Sequence, residues 1–226
     1  MADLGPTSFK RSTPSSQVNM EFIKVQLLIT TIMTLFSLYS ESYFLFQIQH
    51  IGLFYVAVVL ALIIEIYIFC CEGGRKFPQN MVLTFLFTLC EGYIVSFVAS
   101  ITGKTSGNGV VFMAAFMTLM IAVACTFYAI YSKEDYTTSS ALLVVLSIAL
   151  LVLFIIMLFT DSPFIHALYC CIGTFLFGCY LVIDTQMIVG GRTIELSMDE
   201  EYVGAMLLYI DIIMIFMYLL QLFGNR

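Results

Sequence analysis

Four acidic residues fall inside or at the edge of long apolar runs: Glu65, Glu91, Asp184 and Asp211. No lysine or arginine lies at comparable depth in those runs. An acid placed mid-bilayer costs several kcal/mol, about 2.5–3.5 on insertion scales, so it faces a cavity, a partner or an ion. Without an internal base the four can be protonated, share protons with each other, or bind cations. Depth decides which of them can meet. At a rise of about 1.5 Å per residue, Asp184, some six residues before Gly190, lies about 9 Å below that rim. Asp211, about eight residues beyond Val203, lies about 12 Å below the same rim, and Glu91 about 15 Å. Runs joined by a short loop are expected to be neighbours, so Asp184 and Asp211 can form a carboxylate pair. The alternative is two separate neutral aspartic acids, each bonded to a backbone carbonyl or a Ser/Thr hydroxyl. Two carboxylates at hydrogen-bond distance cannot both ionise cheaply, and one proton is then shared. Raising the pH removes it and leaves a doubly charged oxygen cluster, which a hard cation such as calcium favours. On this reading the metal-binding residues are Asp184 and Asp211.

These acids need apolar scaffolding, and the composition supplies it. Of 226 residues, 61% are hydrophobic and 11% charged, with a mean hydropathy of +1.02. That is stock for roughly seven spans of about 20 residues. A soluble domain carries nearer 25% charge, so a water-soluble fold is excluded. Neither a basic surface for nucleic acid nor a sizeable extramembrane domain is left to find. The runs cover about 22–40, 51–70, 81–101, 109–131, 140–159, 164–189 and 203–223. Helices are expected, because barrel strands would alternate polar and apolar over about 10 residues. The segments CEGGRKFPQN, TGKTSGNG, SKEDYTT, TDSP and the acidic GGRTIELSMDEEY read as turns and loops. Lys10, Arg11, Lys24, Arg75, Lys76, Lys133 and Arg192 fall on one side of the spans, Lys104 and Arg226 on the other. That bias puts the N-terminus on the cytosolic or matrix side and the C-terminus opposite.

Residues 1–20 are polar, Ser/Thr/Pro-containing and without an apolar signal core, and are expected to form a disordered tail before a membrane domain over 21–226. The seven cysteines lack CxxC or CxxH spacing and read as free thiols in or beside spans. Glu65, near the cytosolic end of its span, can snorkel or pair with Arg75 or Lys76. His50 and His166 are expected at the interface, without a metal role. Gly173, Gly178 and Gly204 mark close helix approaches near the aspartates.

The order of motifs resembles the transmembrane Bax inhibitor motif family, in its Lifeguard-type branch. The carrying residues are FIHALYCCIGTFLFGCYLVIDTQMIVGG (164–191) and LSMDEEYVGAMLLYIDIIMIFMYLLQLFG (196–224), with CCEGGRKFPQN, FTLCEGY and SKEDYTT earlier. The resemblance implies an all-α membrane protein with seven transmembrane helices, six surrounding a central seventh. It implies a pH-sensitive calcium leak channel whose sensor is an aspartate pair, here Asp184 and Asp211, with a role in calcium homeostasis and suppression of cell death. A basic residue after the second span is implied as a latch, either Arg75 or Lys76. Glu91 matches an acidic position in the third span and is a candidate for the ion pathway.

The expected partners are the lipid bilayer, calcium and protons, with further membrane proteins possible and nucleic acid not. No cofactor is expected; calcium enters as the permeant ion. The expected location is an intracellular membrane, Golgi or endoplasmic reticulum, with the mitochondrial inner membrane open. The competing reading is a structural or accessory subunit of a larger membrane complex, its channel vestigial. Enzymatic activity is not expected. Intramembrane aspartyl proteases carry Tyr-Asp, Gly-x-Gly-Asp and a later Pro-Ala-Leu, whereas here Asp184 follows Ile183, Asp211 follows Ile210 and no Pro-Ala-Leu occurs.

Overall fold

The first apolar run carries more polar side chains than a lipid-facing helix tolerates, and their spacing explains how it folds. Gln26, Thr30, Thr34 and Ser37 recur every three or four residues and so form one stripe on a helix. Thr84, Thr88, Gly92, Ser96 and Ser100 recur every four residues in the third run. In the computed structural model these two stripes face each other and all but Thr34 and Gly92 are under 5% exposed. Gln26 Nε2 donates to Thr88 Oγ1 (2.8 Å), and Ser100 Oγ donates to Ser37 Oγ (2.7 Å). A Cβ on Gly92 would lie 2.9 Å from Met33 Sδ, so any larger residue there must push the Met33 side chain aside. Small residues and interhelical hydrogen bonds are how helices adhere where lipid removes the hydrophobic drive.

The structure describes residues 14–190, 193 and 200–224. Nine α-helices lie in this part: α1 (Pro14–Tyr39), α2 (Glu41–Gln49), α3 (Ile51–Cys70), α4 (Glu72–Arg75), α5 (Gln79–Ser106), α6 (Asn108–Tyr131), α7 (Ser140–Phe159), α8 (Pro163–Val189) and α9 (Glu201–Gly224). Seven are long and apolar enough to cross a membrane: α1, α3, α5, α6, α7, α8 and α9. They match the seven expected runs. Most of the expected tail and most of the acidic loop lie outside the described residues, although α1 begins at Pro14, earlier than the boundary at 20.

Two connections differ from expectation. The segment TGKTSGNG is helix up to Ser106, and Gly107 alone, at φ +94°, turns the chain into α6. Thr102 and Thr105 spend their hydroxyls on the carbonyls of Val98 and Ile101, prolonging the helix instead of breaking it. Gly103 serves packing: a Cβ there would meet Leu38 Cδ1 at 2.4 Å. The second difference is α2, capped by Ser40, whose Oγ accepts from the Tyr43 N–H. Its Gln47 is fully buried, accepting from Ser37 Oγ (2.5 Å) and donating to Ser96 Oγ (3.2 Å).

Helix α9 is the most enclosed span. It packs on α1, α5, α6 and α8, and 72% of its most apolar window is buried, against 11–44% for the others. Helix α7 is the most lipid-exposed, with Leu142, Val145, Ile148 and Leu158 outward.

Candidate functional site

Asp184 lies five residues from the end of α8, which Gly190 closes at φ +75° with its N–H on Gln186 O (3.1 Å). Asp211 lies ten residues into α9. Helices α8 and α9 pack along one another, and the two carboxyl groups hydrogen-bond each other, at 5% and 4% exposure. No ion pair reaches either among the described residues. Oδ2 of Asp211 is buried without a hydrogen-bond partner among the described residues. This closeness depends on Gly173, eleven residues earlier on α8, whose absent side chain admits the Tyr218 ring of α9. Gly178 faces Cys125 Sγ of α6, where a Cβ would sit at an ordinary 3.8 Å.

Chemically, a buried pair of carboxyls can hold one proton between them and exchange it for a cation. Calcium takes six to eight oxygen ligands, more than two carboxylates offer. Among the described residues, no group of three or more His, Cys, Asp or Glu side chains comes together. Two carboxylates alone therefore do not complete such a shell.

The other acids lie elsewhere. Glu91 of α5 lies one turn beyond Phe87, whose ring meets Tyr209 of α9 edge-on (centroids 6.3 Å). Tyr209 and Asp211 are two residues apart, hence about 200° around the helix, so Glu91 and the aspartate pair sit against different faces of α9. Tyr209 is itself fully buried and shares a 2.6 Å hydrogen bond with Thr30 Oγ1 of α1.

Neither basic candidate reaches the aspartates. Arg75 donates from Nε to Ile68 O (3.2 Å) and from Nη2 to Phe69 O (2.7 Å), capping the last carbonyls of α3. Its Nη1 reaches Glu200 Oε1 (3.3 Å), at the entrance to α9. Gly74 lets this turn fold back, since a Cβ there would lie 2.7 Å from Tyr67 O. Lys76 is exposed. Glu65 makes no ion pair with either base among the described residues; Lys24 pairs with Glu21 (2.7 Å). His50 is exposed with Nδ1 3.0 Å from Phe46 O, and His166 is half-buried near Cys170.

Two further residues organise this rim. Gln186, two residues past Asp184 and 1% exposed, accepts from the Tyr136 N–H (2.9 Å) and donates to Glu134 O (3.0 Å), tying α8 to the α6–α7 connection. Asp135 accepts from Thr137 (N 3.0 Å, Oγ1 2.6 Å) on one oxygen and from Thr193 (N 2.9 Å, Oγ1 2.7 Å) on the other. These donors hold its carboxyl well below the usual carboxylate range. Both residues lie within quoted motifs, DTQ and SKEDYTT, but their identity alone names no partner.

A family model described as "Inhibitor of apoptosis-promoting Bax1" matches residues 21–226. Protein lifeguard 3 of Homo sapiens is 31% identical over 209 residues, covering 90% of this chain and 66% of the relative. Its Mus musculus counterpart is 30% identical with the same coverage. An uncharacterised protein of Campylobacter jejuni is 26% identical over 149 residues, covering 66% of this chain and 62% of the relative. The aligned region thus spans just under two thirds of the lifeguard proteins. With seven membrane-spanning helices and a family match over nearly its whole length, the chain belongs to the Bax inhibitor family of membrane proteins.

Proposed function

We propose that the protein is a pH-sensitive calcium leak of an intracellular membrane, Golgi or endoplasmic reticulum, gated by the Asp184–Asp211 pair. The observation that carries this reading is a hydrogen-bonded pair of buried carboxyls, without an ion pair among the described residues, between α8 and the most enclosed helix of the bundle, α9. At low pH one shared proton holds α8 against α9 and the path is shut. As pH rises the proton leaves, and two charges about 4 Å apart repel by about 4 kcal/mol at an effective dielectric constant of 20. The cytosolic end of α9 then yields and cations enter. Arg75, through Glu200, steadies that end in the closed state; Lys76, exposed, has no such hold. Glu91, against another face of α9, contributes to the ion path at a point separate from the sensor.

A role in calcium homeostasis and suppression of cell death follows for this chain from the family description and a leak that lowers stored calcium. The protein is read as a conductor and not as an enzyme. Purified protein in liposomes loaded with a calcium indicator provides the test. Calcium entry above that of empty liposomes at neutral pH is the expected result. Folded protein with no entry at any pH refutes the leak and favours a structural subunit of a larger complex.

A further inference from the structure

We propose that Cys70 and Cys71 form an S-acylation site, modified by a long-chain fatty acyl thioester at the cytosolic rim of α3. The site is independent of the leak reading. Helix α3 has two sides: Ala57, Ala61, Ile64 and Ile68 are buried, while Ile63, Ile66 and Tyr67 are exposed to lipid. Cys70 stands four residues beyond Ile66 and three beyond Tyr67, so its exposed thiol ends the lipid-facing stripe. Cys71 follows in extended conformation, its N–H closing the helix on Tyr67 O (3.0 Å) and its side chain also exposed. Both thiols therefore sit where span meets headgroups, the position at which juxtamembrane cysteines are acylated.

The surroundings fit an acyl donor held at the bilayer surface. Arg75 and Lys76 follow within six residues of Cys70 on the side assigned to the cytosol by the positive-residue bias, and Lys76 is exposed there, a charge that favours anionic headgroups. Phe77, 64% exposed, provides an apolar contact at the same rim. The remaining cysteines do not share this placement. Cys90 and Cys170 are buried, Cys125 and Cys179 are half-buried, and Cys171, though exposed, lies eight residues into α8 from its far-side end.

The chemistry balances without an oxidant. A cysteine Sγ attacks the carbonyl carbon of the acyl thioester, a new S–C bond forms, and the carrier thiolate leaves and takes up the proton. The attached chain then lies along Ile66, Tyr67 and Ile63. It pins the end of α3, whose last carbonyls hold Arg75.

Full-length protein expressed in cells is labelled with an alkynyl palmitate analogue, and hydroxylamine-released thiols are counted by a mass-tagged maleimide. Wild type should take up label and show hydroxylamine-dependent tagging. Cys70→Ser and Cys71→Ser should each lower it, and the double variant should abolish it, while Cys171→Ser leaves it unchanged. Monodisperse size-exclusion of the double variant in detergent shows that the fold survives. Absence of hydroxylamine-labile label in wild type, or label that persists in the folded double variant, overturns the proposal.

Discussion

Replacing Gly173 by alanine tests whether the contact between α8 and α9 is as tight as the aspartate pair requires. A Cβ there would lie 2.5, 2.6 and 2.7 Å from Cε1, Cζ and Cδ1 of Tyr218. Carbon atoms settle at about 3.5–4.0 Å, so ring or helix must move by roughly 1 Å. The ring cannot swing aside. It is 4% exposed and boxed by Tyr169 (centroids 5.3 Å, interplanar 69°) and Phe177 (5.8 Å, 33°). Overpacking of this kind costs about 1–3 kcal/mol. At roughly 2–4 °C per kcal/mol for a chain of this size, Tm should fall by roughly 2–12 °C. The assay is thermal unfolding in detergent, with Gly178→Ala as control, because its Cβ would meet Cys125 Sγ at 3.8 Å. In the Gly173→Ala background, Tyr218→Leu should cost less than it does alone, since contacting residues are non-additive. If Gly173→Ala melts with wild type, or the double variant is simply additive, the close contact is not what holds these helices.

The remaining predictions concern the supports around the pair. Thr30 donates to Gln26 O (3.0 Å) and so accepts from the Tyr209 hydroxyl. Thr30→Val should therefore strand a buried donor and cost about 1–3 kcal/mol, more than the about 0.5–1.5 of Tyr209→Phe, as read by melting. Asp135, its folded pKa held low, contributes stability above the unfolded carboxylate value of about 3.9, and loses it as pH falls through the lower folded value. Asp135→Asn should therefore speed amide exchange at Thr137 and Thr193 at neutral pH, a difference that vanishes in strong acid. Glu200→Gln should cost under about 1 kcal/mol and less in high salt, because the pair is partly exposed. Arg75→Ala should cost more, since it also uncaps Ile68 and Phe69.

The spans were legible because about 20 consecutive apolar residues have one plausible use in a bilayer. Depth put Asp184 and Asp211 within reach of each other, on two helices entering from one rim, but left two separate neutral aspartic acids equally open; the packing of α8 on α9 brings them together. The period of Gln26, Thr30, Thr34 and Ser37 was equally readable, yet a polar stripe does not say which helix answers it. Thr30 finds Tyr209, 179 residues away, a partner fixed only by packing. Asp135 reads as a solvated loop charge until Thr193 arrives beside it. Arg75 shows a different limit: the family resemblance implied it, or Lys76, as a latch, but the carbonyls at the end of α3 and Glu200 satisfy its long side chain. The last turns of α5 misled because glycine and threonine signal turns, whereas here Gly103 packs and Thr102 and Thr105 bond back to the helix.

On the proposed reading, the carboxyl pair senses pH. The direct measurement is calcium flux into liposomes between about pH 5 and 8, comparing wild type with Asp211→Asn. Wild-type flux should rise with pH. In Asp211→Asn no shared proton remains, so the rise should flatten. A variant that keeps the wild-type pH profile rules out the carboxyl pair as the sensor.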